Sequence, residues 1–331
     1  MKKMKTIKIN FKNFWEGFNK EDNLFTNLLK KDYNVVIDVN PDFMFYSVYP
    51  ENVISKDIKS KGDMIRKISP MLYKSMRSIY TKINNKQEVA DVPQGDFVKI
   101  LYTTEEVRPN MDECDFAFSP FQDVKDERHF EIPVHLICDW YFKDRLPLNR
   151  NIDLDKIKKD KTKFCNFLYS QEFKFRNDFF KKLSKYKTID SPGRCMNNMK
   201  SITSTTPKES RSLDSWAIDK LKFLNNYKFT IACENTEDHP YTTEKLIHPL
   251  LVNSIPIYIG NKNVGKYFNT KSFINFSDFN NVKEFIEHIK KVDQDKELYK
   301  SYLTQPFFNN KEQYEFSQTE RISKRLKEIF R

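Results

Sequence analysis

Short apolar segments recur up to about residue 140 and are separated by polar, partly helical stretches. The segments are KTIKINF, YNVVIDV, FMFYSVY, VKILYTT, FAFSPF and EIPVHLI. Each of them is apolar over most of its length, as parallel strands are when helices cover both faces of their sheet. The first part of the chain is therefore predicted to hold a parallel sheet covered on both faces.

A second set of strands and helices follows a charged segment at Lys143–Lys163, which we interpret as an inter-domain linker. The predicted strands are KFCNFLYS, YKFTIACE, IPIYIG and SFINF, and helices are predicted over Arg176–Lys187 and directly after TTEK. Strands that alternate with helices in this way form βαβ units with a parallel sheet. The predicted domains are residues 1–145 and 146–310, followed by a helical segment at 311–331.

The last segment, SQTERISKRLKEIFR, has the pattern of an amphipathic helix with a Ser-x-x-Glu capping signal at its start. The residues of its apolar face are Ile322, Leu326, Ile329 and Phe330. Basic side chains are available for the opposite face, and two interpretations stay open. The helix packs back against the protein, which its small apolar face favours, or it lies on an anionic membrane surface.

The net charge of +11 over 331 residues indicates an anionic partner, such as a nucleotide, a nucleic acid or an acidic membrane surface. Nucleic acid is disfavoured as a partner, because the chain has no zinc-finger spacing, no aromatic RNA-binding motif and no helix with base-reading side chains on one face. A hydrophobic content of 39% supplies the core of a folded protein, so the composition excludes a disordered chain.

The five cysteines stand far apart, and none of them forms a Cys-x-x-Cys pair. This spacing indicates neither a zinc site nor a disulfide framework, and reduced thiols in a cytosolic protein are expected. No segment approaches the roughly twenty apolar residues of a membrane span, and the start MKKMKTIKINFKNFW lacks the apolar core of a signal peptide. The chain is therefore predicted to be cytoplasmic, or peripheral on the cytosolic face of a membrane.

The six glycines limit how a nucleotide could be held. They stand at positions 17, 62, 95, 193, 260 and 265, so no two of them are separated by a single residue. The Gly-x-Gly turn of a dinucleotide-binding fingerprint therefore has no place in this chain. If a nucleotide binds, then side chains and helix ends must hold it.

The stretch HPYTTEKLIHPLLVNSIPIYIG carries the strongest candidate chemistry. The strand before it delivers Glu234 and Asn235 to a loop, and ligands of open parallel sheets bind beyond the carboxyl ends of the strands. A helix is predicted to begin near Thr242–Thr243, with Glu244 and Lys245 in its first turn. A lysine at that position opposes the helix dipole, and a phosphate group that binds there would explain it.

Neighbouring residues strengthen this interpretation. Glu244 can accept hydrogen bonds from a ribose diol, and Tyr241 can stack on a ligand or donate a hydrogen bond. An isolated Thr-Glu-Lys would indicate only a solvated first turn with a capping Thr. The Glu-Asn pair upstream and the Pro-led apolar strand downstream make the combination more specific.

The segment TIACENTEDHPYTTEKLIHPLLVNSIPIYIG resembles the donor-binding signature of the α1,3/α1,4-fucosyltransferases, glycosyltransferase family ten, and especially the bacterial α1,3 type. The similarity continues through FNTKSFINFSDF. Looser parallels lie in Asn13-Phe14-Trp15, LYTTEEVRPN, FCNFLYSQEFKFRNDFFKKL and DSPGRC. The resemblance implies an α/β protein with the GT-B fold, in which two Rossmann-like domains face each other across a cleft.

The resemblance also implies inverting transfer of L-fucose from GDP-β-L-fucose to O3 of a GlcNAc-containing glycan acceptor. The positions that match donor (GDP-fucose) contacts are Arg176, Asn235, Tyr241, Glu244 and Lys245. Glu105 matches the general base, although Glu106 is a second carboxylate directly beside it. Trp15 is the candidate residue on the acceptor side.

No cofactor is expected, and a divalent metal is not essential, because Lys245 and Arg176 can neutralise the leaving diphosphate. Two Asp-x-Asp triplets, at 153–155 and 293–295, lack the clustered oxygen ligands that such a metal prefers. Two other functions stay open. The chain could be an inverting GT-B glycosyltransferase with another nucleotide sugar, or a non-catalytic basic protein that binds glycans or nucleic acid.

The helix after TTEK departs from the family pattern at two positions. Pro249 removes one intrahelical hydrogen bond and is predicted to kink or shorten the helix. Asn253 stands where a Gly is frequent, and Asn tolerates the left-handed conformation of a helix end. His248, one turn after Lys245, is interpreted as structural.

Overall fold

The computed structural model describes residues 4–15, 17–49, 90–105, 107–134, 136, 146–202, 213–235 and 241–331, without the side chains of residues 213–217. The chain divides into two compact units. The first comprises Met1–Glu131 together with Leu326–Arg331, and the second comprises Ile132–Arg325. The predicted domain limits at 145/146 and 310/311 stay predictions.

The first unit contains a sheet of parallel strands in the order β2-β1-β3-β4-β5-β6. The strands are β1 (Thr6–Lys12), β2 (Asn34–Ile37), β3 (Phe43–Tyr46), β4 (Val98–Tyr102), β5 (Phe116–Ser119) and β6 (His129–Glu131), and helix α1 spans Leu24–Leu29. The predicted parallel sheet is confirmed.

Two details of that prediction are wrong. The segment EIPVHLI is not a strand: β6 ends at Glu131, and Val134 is already helical. Pro133 has no N–H to donate to a sheet, so the strand cannot continue through it. Near the sheet edge, β1 buries only alternate residues and exposes Lys8, so this strand is not covered on both faces.

The second unit contains a sheet of parallel strands in the order β11-β10-β9-β7-β8. The strands are β7 (Lys163–Asn166), β8 (Ile189–Asp190), β9 (Tyr227–Cys233), β10 (Ile255–Ile259) and β11 (Ile274–Asn275). Its helices are α2 (Leu154–Asp160), α3 (Lys174–Leu183), α4 (Leu213–Leu224), α5 (Glu244–Leu251), α6 (Val282–Gln294), α7 (Lys296–Thr304) and α8 (Lys311–Phe316). The last helix, α9 (Glu320–Ile329), begins in this unit, and its residues from Leu326 onward belong to the first unit.

The central strands of this second sheet are buried on both faces. Phe229 and Ile231 of β9 belong to a core that includes Phe179 of α3. The next residue along the strand, Ala232, belongs to a different core, which includes Leu246 of α5. Because successive side chains of a strand point to opposite faces, the two cores cover the two faces of one sheet.

The interpretation of Lys143–Lys163 as a linker is wrong for its described part. Asp153 caps helix α2 by accepting a hydrogen bond from the backbone N–H of Lys156, and Ile157 of that helix is buried in the core of the second unit. Arg150 donates to the carbonyl of Gln305 at 2.7 Å and to the Asn253 side chain at 2.8 Å. The dense charge of this segment therefore serves capping and hydrogen bonding within a packed unit.

The terminal helix α9 is packed against the protein, as its small apolar face suggests. Ile322, Leu326 and Phe330 are buried, and the Phe330 ring stacks on Phe43 of the first unit with 4.0 Å between ring centroids. Contact with an anionic membrane stays a prediction. Among the helices that the structure describes, none combines the length and the hydrophobicity that crossing a membrane requires.

Candidate functional site

The second sheet changes its strand order between β7 and β9, because β8 follows on one side of this pair and β10 on the other. In open parallel sheets, ligands bind beyond the carboxyl ends of the strands at such a switch point. Tyr169 lies just after β7, and Glu234 lies directly after β9. The phenol of Tyr169 links the two strands, since it accepts from the Cys233 backbone N–H at 2.6 Å and donates to the Ile231 carbonyl at 2.8 Å.

Arg176 spans the same switch point from helix α3. Its guanidinium lies 3.9 Å from the ring centroid of Tyr169 and is almost completely buried. One terminal nitrogen, Nη2, donates to the carbonyls of Cys233 (3.1 Å) and Glu234 (3.2 Å) and to the side chain of Asn235 (2.9 Å). Arg176 therefore fixes the loop after β9 and brings a positive charge to it.

Helix α5 begins where the sequence predicts it. Thr243 is the capping residue, and its hydroxyl accepts from the backbone N–H of Lys245, so Glu244 and Lys245 occupy the first turn. The preceding Thr242 is held by the Tyr258 hydroxyl at 3.3 Å and by the Asn261 amide at 3.2 Å. The start of the helix is thus tied to the carboxyl end of β10.

Glu234 joins the end of β9 to the start of α5. Its carboxylate accepts from the backbone N–H of Thr243 at 2.8 Å, from the Thr243 hydroxyl, and from Lys245 Nζ at 3.1 Å. A carboxylate at this place also complements the positive end of the helix dipole. The fit requires glycine at position 260, because a Cβ there would lie 2.6 Å from Cγ of Glu234.

The pKa directions differ among the side chains around the start of α5. Burial lowers the pKa of Lys245, but Glu234 and Glu244 outweigh it, so that pKa is raised. Burial raises the pKa of Glu244, but Lys245 and Lys220 outweigh it and lower that pKa to about 2. At Glu234 burial is the larger effect and raises the pKa, although Lys245 lowers it. Burial, together with nearby lysines, lowers the pKa of His248 well below the usual value, so that its ring is neutral.

Among the described residues that bond to one another at this strand edge, the cations outnumber the carboxylates by one formal charge. The three cations are Arg176, Lys220 and Lys245, and the two carboxylates are Glu234 and Glu244. The Lys220 ammonium lies 3.8 Å from the Glu244 carboxylate. A buried cationic site at the start of a helix favours an anionic ligand, and phosphate groups are the common choice.

Both departures from the family pattern lie at the end of helix α5. The helix is eight residues long, contains Pro249 and ends at Leu251, and the shortening by Pro249 stays a prediction. Asn253 adopts the left-handed conformation with a φ of 54°, as expected for a residue that replaces glycine at a helix end. Its side chain also accepts the hydrogen bond from Arg150 that ties this turn to the segment before α2.

A second set of predicted residues lies in the first unit. Glu105 follows β4, and its Oε1 accepts a hydrogen bond of 2.5 Å from the Tyr49 hydroxyl. The Trp15 ring meets the Tyr49 ring edge-on, with 6.0 Å between centroids. Glu105 and Trp15 thus contact the same tyrosine, whereas Glu106 lies outside the described residues.

The structure brings together most of the predicted donor-site residues. Arg176 contacts Glu234 and Asn235, Lys245 contacts the Glu234 carboxylate, and Glu244 lies in the same helical turn as Lys245. Tyr241 is half-buried directly before Thr242, and residues 236–240 that lead to it lie outside the described part of the chain.

Sequence reasoning assigned no role to several residues of these two sites. Glu234 was recognisable from its position after a buried strand, because such a carboxylate needs a partner. No local pattern marks Lys220, Tyr169 or Tyr49, because each meets its partner only through the fold.

The two Asp-x-Asp triplets have other partners in the structure. Asp153 caps α2. The Asp293 carboxylate accepts hydrogen bonds from Lys187, Lys228 and the Tyr186 hydroxyl. Over the residues that the structure describes, no group of three or more His, Cys, Asp or Glu side chains is placed to hold a metal ion.

Two units with parallel sheets, one of which carries a cationic site at its strand-order switch, are typical of the GT-B fold. The chain belongs to glycosyltransferase family 10, the fucosyltransferases: the sequence profile of the family's C-terminal domain matches residues 158–329. The profile of the alpha-(1,3)-fucosyltransferase FucT N-terminal domain matches residues 9–60. The recognition of the family from the TTEK signature is confirmed.

Two fucosyltransferases from other organisms are similar in sequence to part of this chain. A protein of Acanthamoeba polyphaga mimivirus that is named provisionally as a fucosyltransferase is 40% identical over 154 residues, which are 46% of this chain and 25% of that protein. The alpha-(1,3)-fucosyltransferase FucT of Helicobacter pylori is 44% identical over 85 residues, which are 26% of this chain and 18% of that enzyme. This chain thus matches a quarter or less of the length of these two relatives.

The crystal structure of an alpha1,3-fucosyltransferase with GDP-fucose is similar to this chain in fold. It aligns with a TM-score of 0.64 and 21% identity over 94% of this chain and 85% of that chain. The predicted fold class, α/β of the GT-B type, is confirmed.

Proposed function

We propose that this protein transfers L-fucose from GDP-β-L-fucose to O3 of a GlcNAc-containing glycan acceptor, with inversion at C1 of the sugar. The observation that carries the proposal is the contact of Lys245, Glu234 and Arg176 at the start of helix α5. Membership of family 10 supports fucose as the transferred sugar. The names of the H. pylori and Drosophila melanogaster relatives, both alpha-(1,3)-fucosyltransferases, support the O3 linkage.

The second unit holds the donor in this proposal. Lys245 and Arg176 bind the diphosphate, and the excess positive charge stabilises the negative charge that grows on it as the C1–O bond breaks. Glu244 accepts hydrogen bonds from the ribose hydroxyls. Tyr241 and Asn235 complete the nucleotide contacts at the two ends of the loop after β9.

The first unit supplies the base in this proposal. In a single displacement, the acceptor O3 attacks C1 from the face opposite the diphosphate, and GDP leaves with the bonding electron pair. The acceptor hydroxyl loses its proton as the new bond forms, and Glu105 takes it. Trp15 offers a ring face on the acceptor side, where it adjoins Tyr49.

Activity should survive an excess of EDTA, because two fixed cations already neutralise the diphosphate. The measurement is the rate of GDP release from GDP-fucose and acceptor, with and without the chelator, after dialysis against EDTA. Added Mn²⁺ should stimulate the rate only mildly. A complete loss of activity that a divalent metal restores would contradict metal independence.

Incubation of the protein with GDP-fucose and a panel of glycans should yield a fucosylated GlcNAc-containing product, with the α1,3 linkage visible by NMR. GDP should also raise the melting temperature, whereas UDP and single-stranded DNA should not. Stabilisation by GDP without fucose transfer, but with transfer of another sugar, would favour a different GDP-sugar as donor. Glycan or DNA binding without any turnover would favour the non-catalytic alternative. Cytoplasmic location and peripheral membrane contact remain predictions from the sequence.

A further inference from the structure

The hydrogen bond between Tyr49 and Glu105 joins two segments that are far apart in the sequence. The Tyr49 hydroxyl lies 2.5 Å from Oε1 of Glu105, a separation typical of an O–H group that donates to a carboxylate. Both side chains are half-buried. Among the described residues, this is the one hydrogen bond that the Glu105 carboxylate accepts.

Hydrogen bonds outside the Glu105 contact hold the segment that carries Tyr49. The Tyr49 N–H donates to the carbonyl of Asn13 at 3.0 Å, just beyond the end of β1. Asn13 holds a left-handed conformation with a φ of 61°, and its side chain donates to the carbonyl of Asp91 at 2.8 Å. Trp15 packs edge-on against the tyrosine ring itself. The backbone of Tyr49 is thus anchored to β1, and its ring has a neighbour besides the carboxylate.

A separate set of hydrogen bonds holds the backbone of Glu105. Its N–H donates to the hydroxyl of Thr103 at 3.1 Å, and the Thr103 N–H donates to the carbonyl of Phe118 at 3.1 Å. Thr103 is buried, so the segment after β4 is anchored to β5. Two independently anchored segments thus determine the direction in which the Glu105 side chain points.

We propose that Tyr49 is a positioning residue for the base Glu105, an inference that rests on the proposed function. The phenol fixes Oε1 and thereby directs Oε2 towards the acceptor hydroxyl. The hydrogen bond from Tyr49 is compatible with both the deprotonated and the protonated form of Glu105. Oε1 accepts from Tyr49 as part of the carboxylate before the transfer, and as a carbonyl oxygen once Oε2 carries the proton.

Tyr49→Phe should lower kcat by about 10- to 100-fold, the usual worth of a hydrogen bond to a charged group. The variant removes only the hydroxyl and keeps the ring that Trp15 contacts. KM for GDP-fucose should stay unchanged, because the donor contacts belong to the second unit. Tyr33→Phe is the matched control, since it also removes a phenol from the first unit and should leave kcat unchanged.

The decisive measurement is a double-mutant cycle with Glu105→Gln. If Tyr49 acts through the base, then Tyr49→Phe should cause no further loss of kcat in the Glu105→Gln protein. An equal loss in both backgrounds, or no loss in the wild-type background, would overturn the positioning role. By contrast, a wild-type protein without fucose transfer, or a fully active Glu105→Gln protein, would contradict the proposed function itself. Melting temperatures of all four proteins separate these effects from loss of folding.

Discussion

Lys245→Ala should lower the turnover of GDP-fucose by about two to four orders of magnitude. The side chain lies in the first turn of α5, where it would meet the diphosphate as negative charge develops on the leaving group. The loss of one preorganised cation in a water-poor site has this size in other enzymes. The measurement is kcat/KM for GDP-fucose at saturating acceptor.

The structure requires a control for this variant, because Lys245 also pairs with the buried carboxylate of Glu234. An unpaired buried charge costs about 3–5 kcal/mol of stability. Glu234→Gln combined with Lys245→Ala removes that charge, so the double variant should fold better but remain inactive. Lys187→Ala is a control for the loss of a lysine outside the site: Lys187 pairs with the buried Asp293, which keeps Lys228 as a partner, so turnover should stay unchanged. Near-normal turnover by the Lys245→Ala protein would contradict the donor-site assignment.

Arg176→Ala should lower turnover to a similar degree, but it would also release the loop after β9. Arg176→Lys is therefore the more informative change. It keeps the charge but loses the planar group that stacks on Tyr169 and donates to the carbonyls of Cys233 and Glu234. A fully active Arg176→Lys protein would mean that only the charge matters at this position.

Glu105→Gln should reduce turnover by about 10²- to 10⁴-fold, the usual contribution of a general base. The amide keeps the shape of the side chain and can still accept the hydrogen bond from Tyr49, but it cannot take up a proton. Affinity for GDP should stay close to the wild-type value, because the diphosphate contacts lie in the second unit. Calorimetric titration with GDP, beside the rate measurement, distinguishes loss of the base from loss of donor binding.

Glu106→Gln is the matched control for that experiment. The family resemblance aligns Glu105, and not the neighbouring carboxylate, with the general base. The Glu106 variant should therefore have a mild effect. If it is inactive and the Glu105 variant is active, the base is one residue further along the chain. If both variants are active, the proposed mechanism is wrong.

The sequence predicts well those strands and helix ends that are determined by residues close together in the chain. Both parallel sheets follow from apolar runs, as in Ile255–Ile259, where every residue is buried. The start of α5 follows from the capping Thr243, and its end lies next to the left-handed Asn253. In each case, a short range of residues contains the physical reason.

The two wrong predictions, a strand through Pro133 and a linker at Lys143–Lys163, depend on which groups the fold places around a segment. The segment around Pro133 is apolar enough for a strand, but a proline has no N–H to donate to a neighbouring strand, and the chain is already helical at Val134. The charges of Lys143–Lys163 suggested a solvated linker, whereas Arg150 and Asp153 use theirs to bond the backbone of a packed unit. Charge in a sequence does not reveal whether a folded partner will satisfy it.

The sequence by itself determined the family, the α/β class, and the order Thr-Glu-Lys at the start of a helix that follows a buried strand. Only the tertiary structure decided which groups those side chains meet: Glu234 for Lys245, and Tyr49 for Glu105. The positions of Tyr49 and Glu105 are 56 residues apart in the chain. The hydrophobic pattern that specifies strands and helices acts over a few residues, whereas these contacts form only when the sheet brings distant segments together.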